Sequence, residues 1–525
     1  MIKPYICSSL CALNITGMPQ VTIGVKGVEK LLSSLKVDKA CGPDNIKPIL
    51  LKNLSVQISP LVTKLFQRSL DTGTIPADWS KANVTPLFKK GDKGNPANYR
   101  PISLTCILCK LLEHIIASNI TKHFQVNNIL YDLQHGFRER RSCETQLLEL
   151  VDDLSRNLLL GHQTDLILLD FSKAFDKVNH LKLLYKLHQH GVQGATLQWV
   201  KSFLIGRRQS VLVNGETSDE VPVTSGVPQG SVLGPLLFLL YINDLPENLI
   251  SQVRLFADDT AVYITVNNAA QEEILQQDLN RLQLWEEMWD MEFNPSKCTV
   301  MNITRSKSPF KSRYMLHGQI LETVNDAKYL GVTISSDLNW NKHVNLVTSK
   351  ATRTLNFIKR NIPCKNPKVR EFAYKALVRP QLEYSSSVWS PYTQQNINHI
   401  EMIQRRAARW VNHDYSSYSS VTSMIRQLGW RTLQDRRSDA RLTMFYKIVN
   451  GLVAIPMPSY VKSPVRLSRH MHPLSYTQIQ TPCNYYKYSF FPATIILWNS
   501  LPADLVEAPT LHQFKQGVSK FNYKA

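Results

Sequence analysis

The sequence predicts an α+β fold, in which short strands and helices alternate before a C-terminal third that is mostly helical. Two observations support this class. Runs of β-prone residues end at carboxylates, once at Asp170 and once at Asp258 and Asp259. Apolar residues at helical spacing fill the segments between and after these runs. The composition, 43% hydrophobic and 19% charged, is that of a globular chain and excludes a disordered one.

The most informative stretch is 253–264, where two apolar β-prone runs meet at the adjacent acids Asp258 and Asp259. This pattern predicts a tight hairpin with both acids at its tip. Neighbouring carboxylates repel each other and resist burial, and a divalent metal held by oxygen ligands is the simplest neutraliser. A second run, 165–170, ends at Asp170. The three acids together predict a cluster that holds two magnesium ions, which activate a 3′-hydroxyl and stabilise a leaving pyrophosphate.

The first part of the chain predicts helices at 24–35, 47–56 and 59–71, followed by a strand at 82–88. That strand runs into Lys89 and Lys90, and Arg100 begins the next element. One of the lysines and Arg100 are placed to face each other across a hairpin and clamp a triphosphate, a point charge beside a planar fork. Taken alone, basic residues near a glycine-rich turn are ordinary surface groups.

Helices are predicted next at 106–124, 143–160, 181–204 and 236–243, and a long one at 269–291. The segment 225–235 is a loop of small and ring-constrained residues around Gln229, which allows a ligand to approach the backbone closely. Phe175 suits either a ring against the sugar of an incoming nucleotide or a core position. The residues 299–304 and 329–332 are predicted as strands.

The C-terminal third predicts helices at 341–360, 366–379, 395–412 and 433–450, whereas 455–525 has a weak pattern. Residues from 341 onward contain 26 Lys and Arg against 8 Asp and Glu, which accounts for most of the net charge of +20. This excess favours a polyanionic partner over a merely solvated basic surface. On the third helix, an apolar stripe leaves a basic face free for phosphates, formed by Arg405, Arg406 and Arg409.

Cysteine usage and hydropathy predict a soluble, intracellular protein. Nine scattered cysteines, an odd number without a framework, argue against a disulfide-stapled domain. The pair Cys106 and Cys109 lacks the second pair that a zinc site needs. Polar residues interrupt 1–17, which makes a poor signal peptide, and the apolar run 235–242 is too short to span a bilayer. No membrane partner is expected.

Eight motifs in one order resemble those of the reverse transcriptases of non-LTR retrotransposons (LINE-type elements), most like the jockey and CR1-like groups. They cover the chain from about Lys39 to beyond Val411. The motifs are KACGPD at 39–44, PLFKKG at 86–91, NYRPISL at 98–104, QHGFR at 134–138, DFSKAFD at 170–176, SGVPQGS at 225–231, FADD at 256–259 and YLGV at 329–332.

The resemblance implies a right-hand polymerase with fingers, a palm built on an antiparallel sheet and a helical thumb. The implied divisions are a lead-in helix in 1–38, fingers with the start of the palm in 39–160, the palm with motifs A to E in 161–340, the basic thumb in 341–415, and a poorly defined C-terminal extension in 416–525.

The resemblance also assigns roles to residues of this chain. Asp170 and Asp258 would bridge two Mg²⁺ ions, for which Mn²⁺ is a substitute, with Asp259 beside them and the Phe171 carbonyl as a backbone ligand. The remaining implied contacts are Phe175 as the sugar gate, Gln229 on the incoming nucleotide, Lys89 or Lys90 with Arg100 as the triphosphate clamp, Lys297 as a motif D lysine that protonates pyrophosphate, Tyr329 and Gly331 in a primer grip, and Arg405, Arg406 and Arg409 on the duplex.

The implied partners are an RNA template, a DNA primer and deoxynucleoside triphosphates, and the implied location is the nucleus. Elements of this type usually carry an apurinic-type endonuclease upstream, but here the fingers begin within about the first forty residues, so target nicking is expected either to come from a separate endonuclease or to be absent. The main alternative is an inactive remnant that only binds nucleic acid. Clustered carboxylates argue against it, since a binder has no use for them facing a phosphate backbone. A maturase-like or telomerase-like polymerase is a weaker alternative, because the stretches 379–384 and 388–392 are LINE-type.

Overall fold

A computed structural model describes residues 16–467, 471–521 and 523. Its strands are β1 (Lys81–Phe88), β2 (Tyr99–Leu104), β3 (Thr164–Asp170), β4 (Arg208–Val213), β5 (Glu216–Thr217), β6 (Val221–Pro222), β7 (Gln252–Phe256), β8 (Asp259–Thr265), β9 (Thr299–Ile303), β10 (Met315–Leu316), β11 (Gln319–Ile320), β12 (Glu322–Thr323), β13 (Asp326–Tyr329) and β14 (Val332–Ser335).

The helices of the described residues cover nearly every segment that the periodicity predicts. They are α1 (Val25–Ser33), α2 (Pro48–Asn53), α3 (Ser55–Thr72), α4 (Ile107–Val126), α5 (Cys143–Leu159), α6 (Ala174–Lys177), α7 (His180–Gln189), α8 (Gly194–Leu204), α9 (Leu233–Tyr241), α10 (Ala269–Trp289), α11 (Asn341–Asn361), α12 (Pro367–Ala373), α13 (Arg379–Glu383), α14 (Ser386–Trp389), α15 (Gln394–Asn412), α16 (Val421–Gln427), α17 (Leu433–Val449), α18 (Asn484–Lys487), α19 (Phe490–Asn499), α20 (Ala503–Val506) and α21 (Leu511–Val518). The α+β class is confirmed.

The chain forms two compact units, and it passes from one unit to the other several times. Unit 1 takes the described residues up to 137 together with 170–249 and 278–294, and unit 2 takes 138–169, 250–277 and the described residues from 295 onward. The predicted palm, 161–340, contributes to both units, so the domain boundaries drawn from the sequence stay a prediction.

The sheet of unit 1 carries the predicted basic hairpin. Its strand order is β2-β1-β4-β5, with β6 also pairing with β4. The β1–β2 pair is antiparallel and the β1–β4 pair is parallel. Asn214 and Gly215, with φ of 52° and 90°, form the two-residue turn between β4 and β5, a conformation that this dipeptide favours. The hairpin predicted at the basic tip, between β1 and β2, is present.

The sheet of unit 2 has the order β12-β9-β3-β8-β7. Its β3–β9 and β7–β8 pairs are antiparallel, as predicted for the palm, whereas the edge strand β12 runs parallel to β9. The sheet is therefore mixed at this edge, because β12 follows a separate hairpin, β10–β11, that returns the chain in the direction of β9.

Two predicted elements are wrong in detail. The segment 329–332 is not a strand but the turn of a hairpin, in which Tyr329 pairs with Val332 and Leu330 and Gly331 have φ of 46° and 87°. The turn was predicted as part of a strand because short β-prone runs lie on both sides of it. The predicted helix 181–204 is broken into α7 and α8 at Gly191, whose φ is 81°.

One hydrophobic core joins the sheet of unit 2 to its helices. It contains Leu166 of β3, Trp389 of α14, Phe445 of α17 and Trp498 of α19, all essentially inaccessible to solvent. The weakly patterned C-terminal residues therefore fold into helices that share this core. Hydrophobic periodicity did not predict these helices, because they are short and separated by turns. Among the described residues, no helix combines the length and the apolar composition that crossing a membrane requires.

Candidate active site

The β7–β8 hairpin places the two adjacent acids differently. Phe256 pairs with Asp259, so Ala257 and Asp258 form a two-residue turn, in which Ala257 has a φ of 53°. Asp259 is the first residue of β8 and is exposed, whereas Asp258 is half-buried in the turn. The strands behind them are apolar and buried, so the acids lie where the core meets solvent. The predicted tight hairpin is confirmed.

The third acid lies at the same end of this sheet. β3 and β8 are neighbours. The Val266 amide, just after β8, donates to the Gln163 carbonyl, just before β3, at 2.8 Å. Since the end of β8 meets the start of β3, the two strands are antiparallel. Asp170, the half-buried last residue of β3, therefore ends its strand where Asp259 begins the next one.

Lys297 belongs to the same end of the sheet. β9 pairs antiparallel with β3, with Leu168 opposite Thr299. The pairing shifts before the end of β3, because the Asp170 carbonyl accepts from the Asn294 amide at 2.8 Å. Lys297 is exposed in the short 3₁₀ helix Pro295–Lys297, which lies between Asn294 and β9. The proton-donor role of this lysine stays a prediction.

The acids at the strand ends are chemically suited to bind a hard cation. Carboxylate oxygens are the ligands that Mg²⁺ prefers, and it completes its shell with waters and substrate phosphates. None of the three acids is fully buried. Among the described residues, no three His, Cys, Asp or Glu side chains form a ready-made metal cage. Phe171 is 3% exposed and its ring stacks on Phe293 at 4.1 Å, which fixes the backbone next to Asp170.

A buried ion network behind the hairpin was missed by the sequence reasoning. Arg254 of β7 is 6% exposed and donates to Glu149 at 2.8 Å and to Asp153 at 2.7 Å, both on α5. Its Nε also donates to the Tyr263 hydroxyl at 2.8 Å, and that hydroxyl donates to Asp153 at 2.5 Å. One feature of the sequence does indicate this network: Arg254 is a charged residue between Val253 and Leu255, within a strand predicted to be buried.

The loop 225–231 of unit 1 is tied to the segment that follows Asp170. The Val227 amide donates to the Phe175 carbonyl at 2.8 Å, and the Gln229 carbonyl accepts from the Ser103 amide of β2 at 2.7 Å. The side-chain amide of Gln229 donates to Asp176 at 2.9 Å. Asp176 is thus a partner that sequence reasoning had not singled out, and the nucleotide contact of Gln229 stays a prediction.

Phe175 is held in place by aromatic packing. Its ring stacks on Phe238 of α9 at 4.3 Å and meets the edge of Phe137 at 6.3 Å. The residue is nevertheless only half-buried. The packing accounts for the core interpretation, and the exposed remainder of the ring leaves the sugar-gate interpretation open.

The basic hairpin distinguishes the two candidate lysines. Arg100 lies opposite Leu87, and the Lys89 amide donates to the Asn98 carbonyl at 2.9 Å, so the register continues to Lys89. Directly opposed residues share a face of the sheet, and residues two apart along a strand share it too. Lys89 therefore lies on the same face of the sheet as Arg100, whereas Lys90 and Phe88 lie on the opposite face.

The predicted primer-grip residues have different environments. Tyr329 is 3% exposed, and its hydroxyl accepts from the Gln146 side-chain amide at 3.1 Å. Burial, and then the charge of Asp259, raises the pKa of Tyr329. Its phenol is therefore a core group. The exposed tip of this hairpin is Gly331, where a Cβ would come within 2.9 Å of the Tyr384 ring.

The three predicted thumb arginines lie on α15, away from its buried face. The stripe predicted to be apolar, Ile400, Ile403, Ala407 and Trp410, is buried. Arg405 and Arg406 are exposed. Arg409 is half-buried and donates to the Ser416 carbonyl at 2.7 Å, so it also holds the chain beyond the helix. A groove of about 410 Å³ between α11 and α15 is lined by Arg353, His399 and Arg406.

The family model that matches this chain is "Reverse transcriptase (RNA-dependent DNA polymerase)", over residues 88–334. Every strand-end acid, the Gln229 loop and Lys297 fall inside the match. Residues 88–334 form a reverse transcriptase domain. The resemblance to this family, drawn from the eight motifs, is thereby confirmed.

Curated relatives of the reverse transcriptase domain come from insect mobile elements. The chain is 29% identical to a probable RNA-directed DNA polymerase from transposon BS of Drosophila melanogaster, over 80% of this chain and 48% of the relative. It is 28% identical to the RNA-directed DNA polymerase from the mobile element jockey of the same species, over 75% of this chain and 44% of the relative. The chain thus spans about half the length of the curated relatives it matches. A solved apo telomerase from Candida tropicalis aligns over 76% of this chain and 67% of its own, at 10% identity and a TM-score of 0.41.

Proposed function

We propose that this chain is an RNA-directed DNA polymerase of a non-LTR retrotransposon, which adds deoxynucleotides to a primer 3′-end under the direction of an RNA template. The observation that carries the proposal is the placement of Asp170 and Asp259 at one end of adjacent strands, with Asp258 in the turn between β7 and β8. The reverse transcriptase match and the names of the mobile-element relatives support the same reaction.

In this proposal, Asp170, Asp258 and Asp259 hold two Mg²⁺ ions, with the Phe171 carbonyl as a further oxygen ligand. When bound, such ions lower the pKa of the attacking hydroxyl and neutralise charge on the leaving pyrophosphate. Lys297, in the short 3₁₀ helix that precedes β9, is the candidate proton donor to the leaving group.

The nucleotide and nucleic-acid contacts in the proposal come from other elements. Lys89 and Arg100 share one exposed face and would bind the triphosphate, while Gln229 would contact the nucleotide from a loop that Asp176 and Ser103 hold. Arg405 and Arg406 would bind backbone phosphates of the template and primer. Phosphate contacts of this kind are independent of sequence, so they do not select one template.

Primer extension on poly(rA)·oligo(dT) with Mg²⁺ tests the proposal. The native chain is compared with the double variant Asp258→Ala, Asp259→Ala, and with a control double variant, Asp504→Ala, Glu507→Ala, which removes two exposed carboxylates near α20. We expect extension by the native chain and the control, and none by the hairpin variant. A poly(dA)·oligo(dT) arm measures the preference for RNA.

The rival function, a remnant that binds nucleic acid without polymerising, predicts a different result. A folded native chain that shifts the duplex on a gel but extends no primer, in Mg²⁺ or Mn²⁺, would refute the polymerase. A separate endonuclease and a nuclear location remain part of the proposal. Adding a nicked DNA target in place of the annealed primer tests whether a nick from another enzyme suffices.

A further inference from the structure

Helix α9 begins directly after the loop that carries Gln229, and its first amides are bound by a side chain from another helix. The Glu113 carboxylate, on α4, accepts from the Val232 amide at 2.7 Å and from the Leu233 amide at 3.1 Å. Val232, the N-cap residue, has no side chain able to cap the helix. The Ser231 hydroxyl accepts from the Gly234 amide at 2.9 Å, and Glu113, 119 positions before Val232 in the chain, caps the two amides that precede it.

The cap matters because the start of α9 is largely buried. Gly234 and Leu237 are among its buried residues, and Leu233 and Glu113 are both 0% exposed. Unsatisfied amides at a buried helix start cost free energy, and an anion there also interacts favourably with the helix dipole. A single oxygen of Glu113 meets both requirements.

The same carboxylate has a buried counter-charge. Arg207, 2% exposed, donates through Nη1 to the Phe203 carbonyl at 3.2 Å. Its Nη2 and the Glu113 Oε1 are both buried without a hydrogen-bond partner among the described residues. Burial raises the pKa of Glu113 and lowers the pKa of Arg207, and the attraction between the two charges opposes both shifts.

We propose that Glu113 is a positioning residue for the nucleotide-binding loop 225–231, and that Arg207 is its buried counter-charge. The inference rests on the function proposed above. The start of the loop is fixed by the Val227 bond to Phe175, and its middle by the Ser103 bond to Gln229. Gly230, with a φ of 115°, has no room for a side chain, since a Cβ would lie 2.7 Å from the Ser103 carbonyl. The Glu113 cap is the anchor at the far end.

Loss of the cap therefore shifts Gln229 without touching the acids at the strand ends. The expected consequence is weaker binding of the incoming nucleotide, seen as a higher KM, with kcat changed much less. A cap with a purely structural role would instead lower the melting temperature and the active fraction, and leave the KM of the remaining enzyme unchanged.

Two double variants isolate the cap from the buried charges. Glu113→Gln with Arg207→Met removes both charges and keeps an oxygen able to accept from the two amides. Glu113→Leu with Arg207→Met removes both charges and the cap, and leaves no unpaired ion in the core. We expect the Leu variant to have roughly tenfold higher KM for dNTP than the Gln variant, which corresponds to the loss of one helix cap. The single variant Glu401→Gln is the control.

Glu401 is the control because it is a half-buried carboxylate that accepts from the Gln434 amide at 2.8 Å, in the first turn of another helix, α17. The KM of the Glu401→Gln variant for dNTP should equal that of the native chain. Equal KM values in the two Glu113 double variants, both active and folded by circular dichroism, would overturn the inference. If neither double variant folds, the single variant Glu113→Asp, which keeps the charge but shortens the side chain by one methylene, must raise the KM above that of Glu401→Asp for the inference to stand. Absence of activity in the native chain would instead refute the proposed function.

Discussion

Replacing Arg254 with Met tests whether the buried ion network behind β7 and β8 holds the carboxylate hairpin. Arg254 donates hydrogen bonds to the carboxylates of Glu149 and Asp153 and to the hydroxyl of Tyr263. Burial raises the pKa of Tyr263, which keeps its hydroxyl protonated as the donor to Asp153. The substitution therefore removes the positive charge to which both carboxylates are bonded.

The expected loss follows from the exposure of the partners. Removing one member of a buried ion pair costs about 3–5 kcal/mol. The side chains of Arg254 and Glu149 are 7% and 12% exposed, but that of Asp153 is 30% exposed, so water relieves part of the cost. We expect about 3 kcal/mol, which lowers the melting temperature of a unit of this size by roughly 6 °C.

Thermal unfolding by circular dichroism measures this loss, with Arg313→Met as the control, because Arg313 is exposed in the same unit. A triple variant that adds Glu149→Gln and Asp153→Asn removes every charge and should recover to within about 1 kcal/mol of the native chain. Primer extension below the melting range should follow the same order. A melting temperature of Arg254→Met equal to that of the control, or a triple variant no more stable than the single one, would refute the reasoning.

Three further predictions concern other parts of the chain. Lys89→Ala should raise the KM for dNTP more than Lys90→Ala does, because only Lys89 shares the face of Arg100; equal effects in steady-state kinetics would contradict this. Gly331→Ala should cost about 1–2 kcal/mol more than Gly318→Ala in thermal unfolding, since both have positive φ but only Gly331 also meets a ring. Burial raises the pKa of Asp152 to about 6, although the Tyr460 hydroxyl donates a hydrogen bond to this carboxylate. The contribution of Asp152 to stability should therefore fall as the pH rises from about 4 to about 6, and Asp152→Asn should not show this loss. Parallel stability curves of the native chain and the variant between pH 4 and 7 would argue against this prediction.

The sequence predicted those features that local patterns determine. The hairpin at Asp258 was predictable because β-prone runs flank two residues that resist burial. The helix over 395–412 was predictable because its apolar residues recur on one face, and α15 differs from the prediction by one residue. The register between Leu87 and Arg100 was not predictable, because strand pairing depends on the turn between the strands. That register is what separates Lys89 from Lys90.

The features that the sequence did not reveal are contacts between distant segments. Arg254 meets acids about a hundred positions earlier, and no periodicity within β7 indicates which helix will cover it. Glu113 lies in a helix whose pattern predicts only that one side is buried, so its carboxylate was indistinguishable from a surface group. Buried ions of this kind become recognisable only once the packing around them is known.

Arg254 and Glu113 answer the same physical problem in two places. A polymerase site needs turns that expose carboxylates and backbone to a ligand, and such turns are weakly held by their own residues. In each case carboxylates of a distant helix bind the backbone element that carries the turn: acids of α5 pair with Arg254 of β7 behind the Asp258 hairpin, and Glu113 of α4 caps the helix behind the Gln229 loop. Substitutions on α4 and α5 that never touch a substrate should therefore change catalysis through these two contacts, the first through kcat and the second through KM.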